Sequence, residues 1–184
     1  MNDQIPKFCP EDALQRLLSA IADENEAMLS EYLECYPADA RLHFLLGSLE
    51  AARRDYGSAR LAMRRAIDLN PSFHIARFQL GLLLLTSGDA YAAQETWGPL
   101  YGLPDDDALR LFARGLSHMV HDQFADAIDH IERGIERNAE NEPLNRDMQR
   151  IVDELSSRTS AEKTEILSAT QLLLRHATFK STRH

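Results

Sequence analysis

Few residues of this chain have the type and spacing that chemistry needs. His118 and His121, with Asp122 beside them, come nearest: two imidazoles three residues apart on a helix can face one metal ion. No third ligand follows at a usable spacing, so one packed and one solvated histidine are expected, and no metal. Ser160-Ala161-Glu162-Lys163 spells the S-x-x-K string of some serine acyl enzymes, without the other elements of that signature. The same residues read as the capped start of a helix. Cys9 and Cys35 have neither a C-x-x-C spacing nor an evident histidine partner, and no glycine-rich phosphate loop occurs. The chain is therefore expected not to be an enzyme and to use no cofactor.

Composition points to the elements that carry these residues. Leu, Ala, Arg and Glu dominate, with only eight Gly and seven Pro in 184 residues, which favours helices over strands. The net charge is −9, and residues 1–39 hold nine acids against Lys7 and Arg16. Such a chain repels phosphate backbones, so nucleic acid is not an expected partner. Arg175, Lys180 and Arg183 are too sparse to change that. The first ten residues carry neither a basic nor an apolar signal segment. The apolar stretch Leu80–Leu85 is far shorter than a membrane span. No membrane partner is expected, the two cysteines suggest no oxidising compartment, and a cytoplasmic location follows.

An internal period organises the rest. Gly47, Gly81 and Gly115 are 34 residues apart, as are Ala59, Ala93 and Ala127, and Phe44, Phe78 and Phe112. Between each Gly and Ala lies a polar turn: Arg54-Asp55-Tyr56, Gly88-Asp89-Ala90 and Asp122-Gln123-Phe124. The unit is two amphipathic helices joined by that turn, with a small residue on each so that the pair can approach closely. One such hairpin cannot bury its apolar stripe alone, so neighbours stack. The expected fold is all-α, an α-solenoid of stacked antiparallel helix hairpins.

Residues 40–141 resemble three tetratricopeptide repeats, at 40–73, 74–107 and 108–141. The first keeps Leu46-Gly47, Asp55-Tyr56, Ala59, Ala66 and Pro71, with His43 where an aromatic residue usually sits. The second keeps Leu80-Gly81, Gly88-Asp89, Ala93 and Trp97, with Leu100 in place of the later Ala. The third keeps Gly115, Phe124 and Ala127, with Arg114 for Leu and Ala139 for Pro. Residues 1–10 are expected to be a disordered N-terminus and 11–39 a degenerate helix pair, in register because Pro37 precedes Gly47 as Pro71 precedes Gly81. A capping helix is expected at 142–155, burying Leu144, Met148, Ile151, Val152 and Leu155. A linker at 156–160 and a C-terminal helix and tail at 161–184 complete the chain.

The resemblance implies a groove lined by the first helix of each unit. Rotation of about 100° per residue assigns its slots to Arg41, Phe44, Ser48 and Ala51, then Ile75, Phe78, Leu82 and Leu85, then Leu109, Phe112, Leu116 and Met119. All but Arg41 and Ser48 are apolar, and so large an apolar wall needs a cover. The cover would be a partner's apolar peptide or helix anchored on Phe44, Phe78 and Phe112, the chain's own helix at about 161–176, or a second copy. Family members that grip a C-terminal carboxylate use Lys, Arg and Asn in these slots, so that mode is not expected. The implied function is a protein-binding adaptor or chaperone-like module, similar in architecture to small acidic secretion chaperones. The alternative is a scaffold that self-associates into a homo-oligomer through the repeat face or the C-terminal helix.

Overall fold

The computed structural model describes residues 8–22 and 27–160, and all their regular structure is helical. Helices α1 (Glu11–Ala22), α2 (Ala27–Cys35), α3 (Ala40–Ala52), α4 (Tyr56–Leu69), α5 (His74–Thr86) and α6 (Ala90–Trp97) come first. A 3-10 turn at Gly98–Gly102 follows, then α7 (Ala108–Val120), α8 (Phe124–Arg137) and α9 over 142–160. The fold is the expected all-α solenoid of helix hairpins, with α3 packed on α4, α5 on α6 and α7 on α8. Two compact units lie either side of the Leu100–Tyr101 bond.

The turns inside the hairpins explain the period. Arg54, Gly88 and Asp122 have φ of 64°, 87° and 57°. Each left-handed residue ends its helix in a Schellman motif. Asp55 N–H donates to the Glu50 carbonyl, Asp89 N–H to that of Leu84, and Gln123 N–H to that of His118, at 2.9, 2.9 and 3.0 Å. The residue after the left-handed position then caps the next helix. The Asp55 carboxylate accepts from Ser58 N–H at 3.1 Å and that of Asp89 from Ala92 N–H at 3.0 Å. One short turn thus satisfies both the last carbonyls of one helix and the first amides of the next.

The marker glycines are sites of helix contact. A Cβ on Gly81 would stand 2.1 Å from Trp97 Nε1, and one on Gly115 would stand 2.5 Å from Ile131 Cγ1. Trp97 is fully buried, stacked on Phe78 with ring centroids 6.1 Å apart, and its indole N–H donates to the Phe78 carbonyl at 3.0 Å. Helix α6 stops at eight residues, whereas α4 and α8 run for 14, because Gly98 and Pro99 follow Trp97. Leu100, in the later Ala's place, is therefore buried from a 3-10 turn.

Three expectations about the ends need revision. Residues 8–10 are not a loose terminus: Cys9 is 2% exposed and packs with Leu14, Leu17, Leu29 and Leu42. At the other end, 156–160 is not a linker. Helix α9 runs on through it, since Ser-Ser-Arg-Thr-Ser contains no breaker and the Arg158 guanidinium lies 4.9 Å from the Phe124 ring centroid. Ser160 is consequently no helix start. The α9 face expected to be apolar is inward, with Leu144, Met148, Val152 and Leu155 buried and Ile151 half-buried. An asparagine clasp holds α9 to α8, Asn138 Nδ2 donating to Asn145 Oδ1 at 2.7 Å and Asn145 Nδ2 to the Asn138 carbonyl at 2.8 Å. The proposed helix at 161–176 lies outside the described residues.

Candidate functional site

The slots assigned to the groove divide into core and surface. In the unit ending at Leu100, Phe78 is fully buried against Trp97. In the following unit Phe112 and Leu116 are fully buried, and a Cβ on Gly134 would meet the Phe112 ring at 2.6 Å. Phe78 and Phe112 are hairpin core, so their assignment as groove anchors is corrected. An aromatic ring opposite a small residue lowers apolar exposure most when it fills the gap between its own two helices. Phe44, Ser48, Ile75, Leu82 and Leu85 in the first unit, and Leu109 and Met119 in the second, remain half-buried. Phe44 meets Phe73 edge-on with centroids 5.2 Å apart, and the Ser48 hydroxyl donates to the Phe44 carbonyl at 3.0 Å.

Arg41 also departs from its assignment. Its guanidinium donates from Nε to Asp39 Oδ1 at 3.0 Å, from Nη1 to Glu11 Oε2 at 2.8 Å and from Nη2 to the Cys9 carbonyl at 2.6 Å. Asp39, only 2% exposed, accepts in addition from Cys9 N–H and Arg41 N–H at 3.0 Å each. Burial alone would push the Asp39 carboxyl up, but the hydrogen bonds from Arg41 and Cys9 outweigh it and hold the group below its ordinary value. Burial and the nearby Asp39 carboxylate push the Cys9 thiol up, which leaves it less reactive. Arg41 is therefore a clasp between α3 and residues 9–11 rather than a groove-lining cation.

The histidines singled out for chemistry do share a cleft. A cavity of about 380 Å³ is lined by Tyr101, Arg114, Ser117, His118, His121 and Gln123. Its polar groups are largely satisfied internally. The Tyr101 and Ser117 hydroxyls lie 2.7 Å apart, and His118 Nδ1 is 2.7 Å from Gln123 Oε1. His118 also lies against His130, ring centroids 4.9 Å apart and planes tilted by 36°, as the packed histidine the sequence suggested, while His121 is exposed at the end of α7. Among the described residues no three His, Cys, Asp or Glu side chains are grouped to hold a metal ion. No described helix is long and apolar enough to cross a membrane.

Sequence reasoning missed the second helices. Leu61 on α4 and Tyr91 on α6 are 72% and 75% exposed, the most open large apolar side chains among the described residues. The signal was present, because Ala59, Ala62, Met63, Ala66 and Ile67 form the buried face of α4 and leave Leu61 outside it.

Comparison with known proteins agrees with this geometry. The tetratricopeptide-repeat family profile matches residues 10–72 and 44–98. The first match takes in α1 and α2, the pair read as degenerate. The α7–α8 hairpin lies beyond it yet repeats the Gly-on-second-helix contact. No curated protein sequence matches the chain. Among solved structures, the fold is similar to "MamA 41-end from Desulfovibrio magneticus RS-1", with a TM-score of 0.57 at 18% identity, covering 89% of this chain and 91% of that one. It is also similar to "Crystal structure of MamA", with a TM-score of 0.54 at 20% identity, covering 68% of this chain and 77% of that one. The glycine contacts, the Schellman turns and the family match converge: residues 10–98 of this chain are tetratricopeptide repeats, the architecture of a protein-interaction module.

Proposed function

We propose that the chain is a non-enzymatic, cytoplasmic adaptor or chaperone-like module that holds an apolar segment of another polypeptide against its first helices. The observation that carries this reading is the partly exposed state of Phe44, Ile75, Leu82 and Leu85 on α3 and α5, whose opposite faces are core. Completing the burial of one such side chain is worth at most roughly 0.5–1 kcal/mol, about a third of the value for full burial, so four contacts together support binding without a charged anchor. Leu109 and Met119 offer the same kind of surface on α7. A photo-crosslinking residue at Leu85 is expected to capture a partner polypeptide in cells, and Leu82→Glu to abolish capture while circular dichroism stays helical. Capture from position 61 alone would overturn the assignment to the first helices.

A second reading rests on a separate observation, the exposure of Leu61 and Tyr91 on the second helices. In that reading the chain is a scaffold that pairs with a second copy. Light scattering during chromatography separates the two: a monomer supports the adaptor, and a dimer lost in Leu61→Glu supports the scaffold.

A further inference from the structure

Arginine is unevenly spread in this acidic chain. Between positions 53 and 77 stand Arg53, Arg54, Arg60, Arg64, Arg65 and Arg77 against only Asp55 and Asp68, within a chain of net charge −9. Arg77 occupies the slot that lies 34 residues after His43 and 34 before Leu111, which is 2% exposed. The register thus draws a cation into a position that holds the partly exposed His43 in one repeat and the packed Leu111 in another. There Arg77 is half-buried, donates from one terminal nitrogen to the Pro71 carbonyl at 3.1 Å, and has its Nε buried with no acceptor. Arg64 faces it, and burial together with this second cation pushes the Arg77 guanidinium below its ordinary value. A cavity of about 290 Å³ opens beside them, lined by Arg64, Arg77, Ala92, Glu95 and the buried Thr96. Glu95, exposed on the same rim, forms no salt bridge with either arginine.

Two guanidiniums that line one cavity, neither of them bonded to a protein carboxylate, make a site that an oxyanion completes. Its oxygens accept from the forked N–H groups that the protein leaves without a carboxylate. We propose that Arg64 and Arg77, with Thr96 at the wall, form a receptor for an oxyanion borne by an acidic peptide, a carboxylate or a phosphoryl group. The site uses none of the inner slots of α3 or α5, so it is independent of the apolar contacts proposed above. It would fix where along a partner an acidic residue stands.

The test is a titration of the full-length chain, followed through the Arg77 Nε–H resonance at constant ionic strength. The probes are acetyl-triglutamate amide, a phosphoserine tripeptide and, as the neutral control, acetyl-triglutamine amide. Saturable shifts with either charged probe and none with triglutamine are expected. Which charged probe binds more tightly identifies a carboxylate or a phosphoryl group as the source. Arg64→Gln, a change at an exposed position, is expected to weaken binding about tenfold. Glu95→Gln is expected to tighten it by removing a negative charge from the cavity rim, which repels the oxyanion. Arg77→Gln is expected to abolish it, and if that variant does not fold, Arg64→Gln decides alone. Non-saturating shifts, or equal affinity in Arg64→Gln, would overturn the proposal and leave Arg77 a packing residue whose stem covers apolar surface.

Discussion

At the scale of single residues, Asp39 serves three neighbours at once. It caps α3, holds the Arg41 guanidinium and receives the Cys9 amide, so one carboxylate ties residues 9–11 to the first full repeat. Its carboxyl lies below the ordinary value when folded, so its contribution is complete above the unfolded carboxylate range. That contribution is lost as pH falls through the folded value. Asp39→Asn is expected to destabilise the chain at pH 7 by about 1.5–3 kcal/mol, the range for hydrogen bonds to a charged group. The gap between variant and wild type is expected to shrink as pH falls below the ordinary aspartate value of about 3.9, where the unfolded chain takes up the proton first and the folded carboxyl only at lower pH. Urea unfolding at the two pH values reads both effects, and a gap that stays constant would remove Asp39 from this role. Arg41 was legible as polar but not as engaged, because its partners Glu11 and the Cys9 carbonyl lie 30 and 32 residues away.

At the scale of the element, the hairpin turn sets the period. The three left-handed positions are 54, 88 and 122, and only the middle one is glycine. A side chain in that conformation costs about 1 kcal/mol relative to glycine. Arg54→Gly is therefore expected to raise stability by about 0.5–1 kcal/mol, and Gly88→Ala to lower it by about 1 kcal/mol. Thermal and chemical unfolding of the two variants check this, and equal effects of the same sign would show that strain is not what the turn stores. Cap residues share the register, and where it lacks an aspartate the side chain has another task. Phe73 packs on Phe44, and Gln123 turns back to His118. Neither Phe73 nor Gln123 makes a side-chain capping bond. The recurrence of Gly, Ala and turn residues was readable because each answers to neighbours within one hairpin. The short α6 was half legible: Gly98-Pro99 marks the stop, but burial of Leu100 from a 3-10 turn depends on packing.

At the scale of the whole molecule, charge is the property that sequence states most directly. The chain carries −9 at pH 7 and a pI near 5.2, with the acids gathered in 1–39 and arginines between 53 and 77. Solubility is expected to be least near pH 5.2, read as turbidity between about pH 4 and 8, since self-repulsion vanishes there. A turbidity maximum well away from that pH would mean that a local patch, not net charge, governs association. By itself the sequence determined the helical class, the 34-residue unit and the hairpin partners, because periodicity and small residues act over a few turns of chain. Only the tertiary structure decided which apolar side of a first helix is core. Phe44 and Phe78 share a slot, yet one is partly exposed and the other fully buried against Trp97. A helix apolar nearly all round has no preferred inward face of its own. The volume of the side chain opposite chooses it, and that neighbour lies on another helix.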